Sequence, residues 1–421
     1  MYSIIPLLQY SKGKRPYRMF KFLFLSAFSL LIAGCSSSRR FSNRIKNYVP
    51  SNSAPINVLL SDYNSSITIE SPVILYEEER AVALVKDGNR LNFSVDGSSM
   101  NLNIAGKEFN AAFFELKPAE DEKTISYKGR KYFGILKIIS DGNTIRVINR
   151  LPLEDYLKGV VPAEMPMGRG ESYFQALKAF AICARTYAID RMKDNNSLFD
   201  VYVDTRDQVY GGAGYERELA NRAVDETAGM ILTYNGSPAI VYYHSSCGGH
   251  TEDAEKVFGV NVPYLKGVND GDPPNCSIAP NFEWTEKYPE QVFVERLISA
   301  GLISSGIYSL QNIKVESRDN SGRVSELLVS LSNNNGDDKE VHISGGSIRS
   351  AIKTASGKSL LRSTMFDVYM NSEKTVIING KGYGHGVGLC QWGAINQSKN
   401  GRDYKQILSF YFPGTEVSTL K

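Results

Sequence analysis

The chain has 421 residues, 48 Lys+Arg against 45 Asp+Glu, and 42% hydrophobic residues. That balance allows a sizeable core, excludes the basic footprint of a nucleic-acid binder, and at this length implies two or three domains. From the start, Lys12, Lys14, Arg15, Arg18 and Lys21 precede an apolar run, Phe22 to Ala33, which is too short to span a bilayer. Ile32-Ala33-Gly34-Cys35 follows with the look of a lipobox. Residues 1–34 therefore read as a lipoprotein signal peptide, cut before a lipidated Cys35, with Met19 as an alternative start. The competing reading is an anchor helix with an incidental cysteine, and the small residues around Cys35 argue against it. Loss of the five basic residues turns the formal net charge from +3 to −2. Residues 35–54, rich in Ser, Asn and Arg, read as a linker from the lipid.

Residues 55–150 form an N-terminal antiparallel β region. Strand patterns recur at Ile56–Leu60, Ser66–Glu70, Ala81–Lys86, Lys131–Ile139 and Thr144–Ile148, with Asp87-Gly88, Asp96-Gly97 and Asp141-Gly142 as turn pairs. A helix over Leu153–Val161 stops at Pro162. The strongest helical pattern is Ser172–Met192, apolar or small on nearly every face and so expected to be buried. Strands over Ser197–Tyr210 and Met230–His244 flank a helix at Glu216–Thr227. The first part of the core then spans 151–281. An inserted small α+β subdomain covers 282–363, with a helix at Glu290–Ala300, a hairpin pair over Ile313–Val341 and a short helix at Gly345–Thr354. The second part of the core, 364–421, has a strand, Thr375–Asn379, a glycine-rich loop and a helix, about Leu389–Lys399. The fold class expected is α+β, a mixed α/β core built around one buried helix.

Four groups of residues carry candidate chemistry. Glu164 lies between Pro162 and Pro166 with apolar neighbours Ala163 and Met165. Desolvation there would raise its pKa and suit a general acid, although on spacing alone a surface turn or an N-cap partner for the next helix is the better reading. Arg185 offers a planar fork of donors to a ligand, or else an ion pair at the edge of the buried helix; Tyr187 is a stacking platform or core. His244-x2-Cys247-x2-His250, with Cys276 later, suits one structural zinc. A Cys247–Cys276 disulfide is the alternative. The loop Gly382-Tyr-Gly-His385-Gly-Val-Gly-Leu-Cys390-Gln391-Trp392-Gly-Ala394 lacks a following Gly-Lys-Ser/Thr and the dinucleotide spacing, so phosphate binding is disfavoured. It is read as a tight loop presenting His385 and Gln391 to a cleft, with His385 within one hydrogen bond or one water of Glu164 or of a bound substrate. Cys183 and Cys390 are read as having no nucleophilic role, and Glu154 and Asp155 as solvent-facing or capping.

That loop resembles the Gly-x-Gly-His-Gly-Val-Gly-x-x-Gln-x-Gly-Ala signature of the SpoIID/LytB family, stage II sporulation protein D and amidase enhancers. Leu151–Pro166, Ala176–Ala188 and His244–Thr251 match further blocks in order, and the resemblance covers roughly Ile56 to Gly414. It implies a lytic transglycosylase acting on peptidoglycan glycan strands, with Glu164 as the single acid/base. It also implies that the block around Asp204–Gly212 places Gln208 near the groove. Some members bind zinc through a His/Cys set at the third block. Phe180 departs from the polar residue usual at its place. The alternative implied is a non-catalytic, peptidoglycan-binding enhancer that partners a cell-wall amidase. A zinc hydrolase is disfavoured, because no Glu base stands in metalloprotease spacing. Either main reading puts the protein outside the cytoplasm, held to a bacterial membrane through its lipid, in the periplasm or at the cell surface.

Overall fold

The structure, a computed structural model, describes residues 55–420 apart from 64–65, 97–98, 143, 169 and 193–196. The signal peptide, Cys35 and the linker lie outside the described residues. Among the described residues no helix is long and apolar enough to cross a membrane.

The architecture is α+β. The N-terminal region builds a seven-stranded sheet in the order Val201–Tyr202, Pro55–Tyr63, Ile145–Pro152, Ile135–Ser140, Phe113–Pro118, Val73–Glu77, Arg80–Val85. Every pairing in it is antiparallel except the short parallel contact of Val58 and Leu59 with Val201 and Tyr202. A four-stranded meander, Ser66–Thr68, Arg90–Asp96, Ser99–Ile104 and Lys107–Ala111, lies beside it in the same hydrophobic core. The turn pairs at Gly88 and Gly142 fall between strands as expected. The run Lys131–Ile139 is two strands, Arg130–Tyr132 and Ile135–Ser140. Gly134 at φ 75° breaks it, seated where a Cβ would lie 2.2 Å from the Arg150 carbonyl.

The Phe174–Arg191 helix is the axis of the molecule. Every residue from Ala179 to Ala188 is buried. Its small, all-round apolar surface lets four helices close on it: Leu153–Glu164, Glu218–Glu226, Gln391–Lys399 and Tyr404–Tyr411. The segments Ser197–Tyr210 and Met230–His244 are mostly irregular, with strands only at Val201–Tyr202, Met230–Tyr234, Ser237–Pro238 and Tyr243–His244. Some of their backbone amides donate to side chains instead of to a ladder, Tyr202 to Asp207, Val209 to Glu164, Leu232 to Thr186 and Ile240 to Tyr264.

A second hydrophobic core gathers Trp284, Phe293, Leu327, Ile348, Phe366 and Ile378 among others. Around it stand two three-stranded sheets. One is Glu283–Pro289, Thr375–Lys381 and Phe366–Met370; the other is Tyr308–Arg318, Val324–Asn333 and Asp338–Ser344. Helices Glu290–Ser299 and Gly345–Ile352 pack with them.

Candidate active site

Glu164 ends the Leu153–Glu164 helix, which runs through Pro162 instead of stopping before it. Met165 then turns extended at ψ 138°, the conformation that a following proline imposes. The chain leaves the helix at that point and the Glu164 carboxyl is left at the wall of a cleft of about 430 Å³. Only 3% of the residue is exposed. Oε1 accepts a 2.6 Å hydrogen bond from the Val209 N–H. Oε2 is buried with no hydrogen-bond partner. Burial pushes the carboxyl up to about 7, against the opposing pull of the Val209 amide. Pro162, Met167, Tyr215, Arg217, Asn281 and Tyr383 also line the cleft, together with Gln391 and a half-buried Trp392. Among the described lining residues, Glu164 is the one carboxyl.

The substrate-binding set is redistributed. Gln391 reaches the cleft. Arg185 does not: it is fully buried, with Nε and Nη2 donating to the two Glu154 oxygens at 2.9 and 2.6 Å and Nη1 to the Met230 carbonyl at 2.9 Å. Its donors are consumed by the core, and Glu154 is their acceptor, not a solvent-facing residue. Tyr187 is likewise internal, donating to Asp207 Oδ1 at 2.7 Å and accepting from Arg191. Gln208 is fully buried, outside the groove. It accepts from the Tyr156 hydroxyl at 3.2 Å and donates to the Tyr243 hydroxyl at 3.1 Å. That pins the stretch whose next amide, Val209, holds Glu164, so Gln208 is a positioning residue.

His385 is also elsewhere. The loop glycines do allow a close approach, but the surface approached is the Tyr242–Gly248 segment and Arg323, not the Glu164 turn. A Cβ on Gly388 (φ 71°) would lie 2.2 Å from the Tyr242 carbonyl, and one on Gly386 (φ 87°) 2.4 Å from the Arg323 guanidinium. His385 Nδ1 accepts from the Val387 N–H at 3.1 Å, and its ring meets those of Phe258 and His244 at 5.0 and 5.6 Å. Burial first, then the neighbouring His244, presses its pKa well below the imidazole value, so the ring is neutral. It faces a different cavity, behind the loop.

The metal-capable group is not the one expected. Cys247, Asp270, Cys276 and Cys390 are all buried, with ligand atoms within 4.8 Å of one another. His244 and His250 lie outside that group: their Nδ1 atoms are paired with the Val387 carbonyl at 3.0 Å and the Thr251 carbonyl at 2.6 Å. The Cys247 and Cys276 sulfurs are 3.3 Å apart and both cysteines are free, well beyond the ~2.05 Å of a disulfide bond. Asp270 braces the group by accepting from the Tyr411 hydroxyl at 2.7 Å and the Cys276 amide at 2.8 Å. Three thiols and one carboxylate in a closed, buried tetrad match the donors of a structural metal site. Asp270 and Cys390 had no spacing signal pointing to them. Tyr215, Arg217 and Asn281, which line the cleft, were equally silent in sequence, whereas Tyr383 lies inside the glycine loop already singled out.

Comparison with known proteins places the chain in a family. The family model described as stage II sporulation protein, SpoIID, matches residues 141–234, and one for a domain of unknown function matches residues 266–388. An uncharacterized protein of Brachyspira hyodysenteriae is 34% identical over 388 residues, 88% of this chain and 94% of that one. Stage II sporulation protein D of Bacillus amyloliquefaciens is 30% identical over 288 residues, 64% of this chain and 75% of that one. The amidase enhancer of Bacillus subtilis is 30% identical over 295 residues, 62% of this chain, which spans only 40% of the length of that protein. The chain belongs to the SpoIID family, a cell-envelope-associated group.

Proposed function

We propose that the protein cleaves peptidoglycan glycan strands by lytic transglycosylation, as a lipoprotein anchored through Cys35 outside the cytoplasm. The observation that carries this is a single buried carboxyl, raised to about 7, with one oxygen held by an amide and the other unpartnered in a cleft. Such a group holds its proton near neutrality. In the reaction the Glu164 proton passes to the glycosidic oxygen as the C1–O bond breaks. The carboxylate then takes the proton of the muramyl C6 hydroxyl as that oxygen bonds to C1. One acid suffices because the nucleophile is intramolecular and no water is activated; a hydrolase would need a second carboxylate. Gln391, Tyr383 and Arg217 line the cleft and would orient the sugars.

The buried tetrad is read as a structural zinc site held by Cys247, Cys276, Cys390 and Asp270, tying together segments whose adjacent residues Ser246 and Gln391 line the cleft.

A second reading draws on the amidase enhancer relative: a peptidoglycan-binding protein that stimulates a cell-wall amidase without cleaving. Incubation of the mature protein with purified sacculi, followed by mass spectrometry, separates the two. Transglycosylation releases 1,6-anhydro ends one water lighter than hydrolytic products. Reducing ends would refute the mechanism, and binding without release would favour the enhancer.

A further inference from the structure

Behind the glycine loop, on the face His385 turns to, lies a cavity of about 1120 Å³ that the Glu164 chemistry does not use. Its wall is strongly cationic: Arg206, Lys256, Arg323, Arg349, Lys353 and Lys358 line it against the two acids Glu252 and Asp319. Arg323 is 1% exposed. Its Nη2 donates to the Cys247 carbonyl at 2.7 Å, while Nε and Nη1 are buried and unpartnered. Arg349 donates through Nε to the Leu361 carbonyl at 2.7 Å, and its Nη2 is also buried and unpartnered. Among the described residues no carboxylate lies within ion-pair distance of either guanidinium. Glu252 and Asp319 are engaged otherwise, through the Ser321 hydroxyl and the backbone amides of Asp253 and Arg323. Burial and the adjacent Arg323 charge lower Arg349 to about 10. A buried Arg323 beside a half-buried Arg349, each with an unused buried donor, is costly unless an anion satisfies them, and the planar guanidinium fork matches an oxyanion in two-point contact.

On the remaining wall, among the serines Ser325, Ser347, Ser350 and Ser359, lies an apolar patch of Val257, Phe258 and Leu360, each only partly buried. A bare phosphate would engage the guanidiniums and leave that wall wet. A short peptide would use both. We propose that this cavity is a binding site for the carboxylate of a short peptide, with the carboxylate held by Arg323 and Arg349 and an aliphatic side chain against Val257, Phe258 and Leu360.

Isothermal titration calorimetry on the mature chain tests this with acetyl-leucyl-alanine as free acid, its C-terminal amide, and inorganic phosphate. The free acid should bind at least tenfold more tightly than the amide, and Arg349→Gln should erase that difference. Glu164→Gln should bind as wild type does, so loss of the acid assignment in the cleft leaves this result untouched. If circular dichroism shows Arg349→Gln unfolded, Arg349→Lys, which keeps the charge and loses the fork, and the acid-against-amide comparison in wild type decide. Equal binding of acid and amide overturns the proposal, as does absence of all binding. Phosphate binding without peptide binding also overturns it and assigns the cavity to a phosphate group.

Discussion

Glu164 has two measurable consequences. Glu164→Gln keeps the shape and loses the proton, so cleavage should fall by roughly 10²–10⁴-fold with the fold retained; a digest of sacculi checks this. The second is linkage. The folded-state pKa is raised from 4.5 to about 7, so this group's contribution to stability is complete below about 4.5 and is lost as pH rises through about 7. With ~1.36 kcal/mol per unit, the loss is about 3 kcal/mol. Urea unfolding should show the Gln variant gaining on wild type by that order between pH 4 and pH 8. A gap independent of pH would mean the carboxyl is not desolvated. Arg185 gives the opposite signature. Arg185→Met strands Glu154 and should cost roughly 3–5 kcal/mol in urea unfolding, while the folded fraction cleaves as wild type does.

The glycine loop behaves as a packing element. Gly388→Ala adds a Cβ against the Tyr242 carbonyl, which cannot move aside, at a φ of 71°. A loss of more than about 2 kcal/mol is expected from strain and clash together, read as a fall in melting temperature. His385→Ala removes a neutral ring packed on Phe258, His244 and Tyr242, and should cost about 1–3 kcal/mol with cleavage per folded molecule preserved. Lost cleavage at unchanged stability would instead return His385 to the catalytic cleft. The helix ahead of the acid was foreseen, and its end was not. Pro162 removes the hydrogen bond to the Lys158 carbonyl and crowds it, yet the helix runs two residues further, and the geometric stop is imposed at Met165 by Pro166.

The four thiol and carboxylate ligands come from segments far apart in the chain, so a bound metal would staple the loops Cys247–Cys276 to the start of the Gln391–Lys399 helix. The purified mature protein should carry about one zinc per chain by native mass spectrometry. Cys390→Ser should lose metal and melting temperature together, because metal binding is coupled to folding. His244→Ala should retain the metal. A disulfide-linked Cys247–Cys276 peptide in a non-reduced digest would decide for the bridge instead.

Local features were legible in the chain itself. The run 174–191 is apolar or small at most positions, with Lys178 and Arg185 sharing one face, so it was expected to be nearly buried. The prolines around Glu164 act on their immediate neighbours, and the loop glycines announce a tight backbone approach without naming the surface approached. Partnerships were not legible. Arg185 could as well have met a sugar as Glu154, 31 positions away. His244 and His250 stood at ligand spacing and were passed over for Cys390, 143 positions from Cys247. Spacing constrains residues within a turn or two of one another. Which distant groups share a buried volume is settled by how the helices close on the central one and by where a buried donor finds its acceptor.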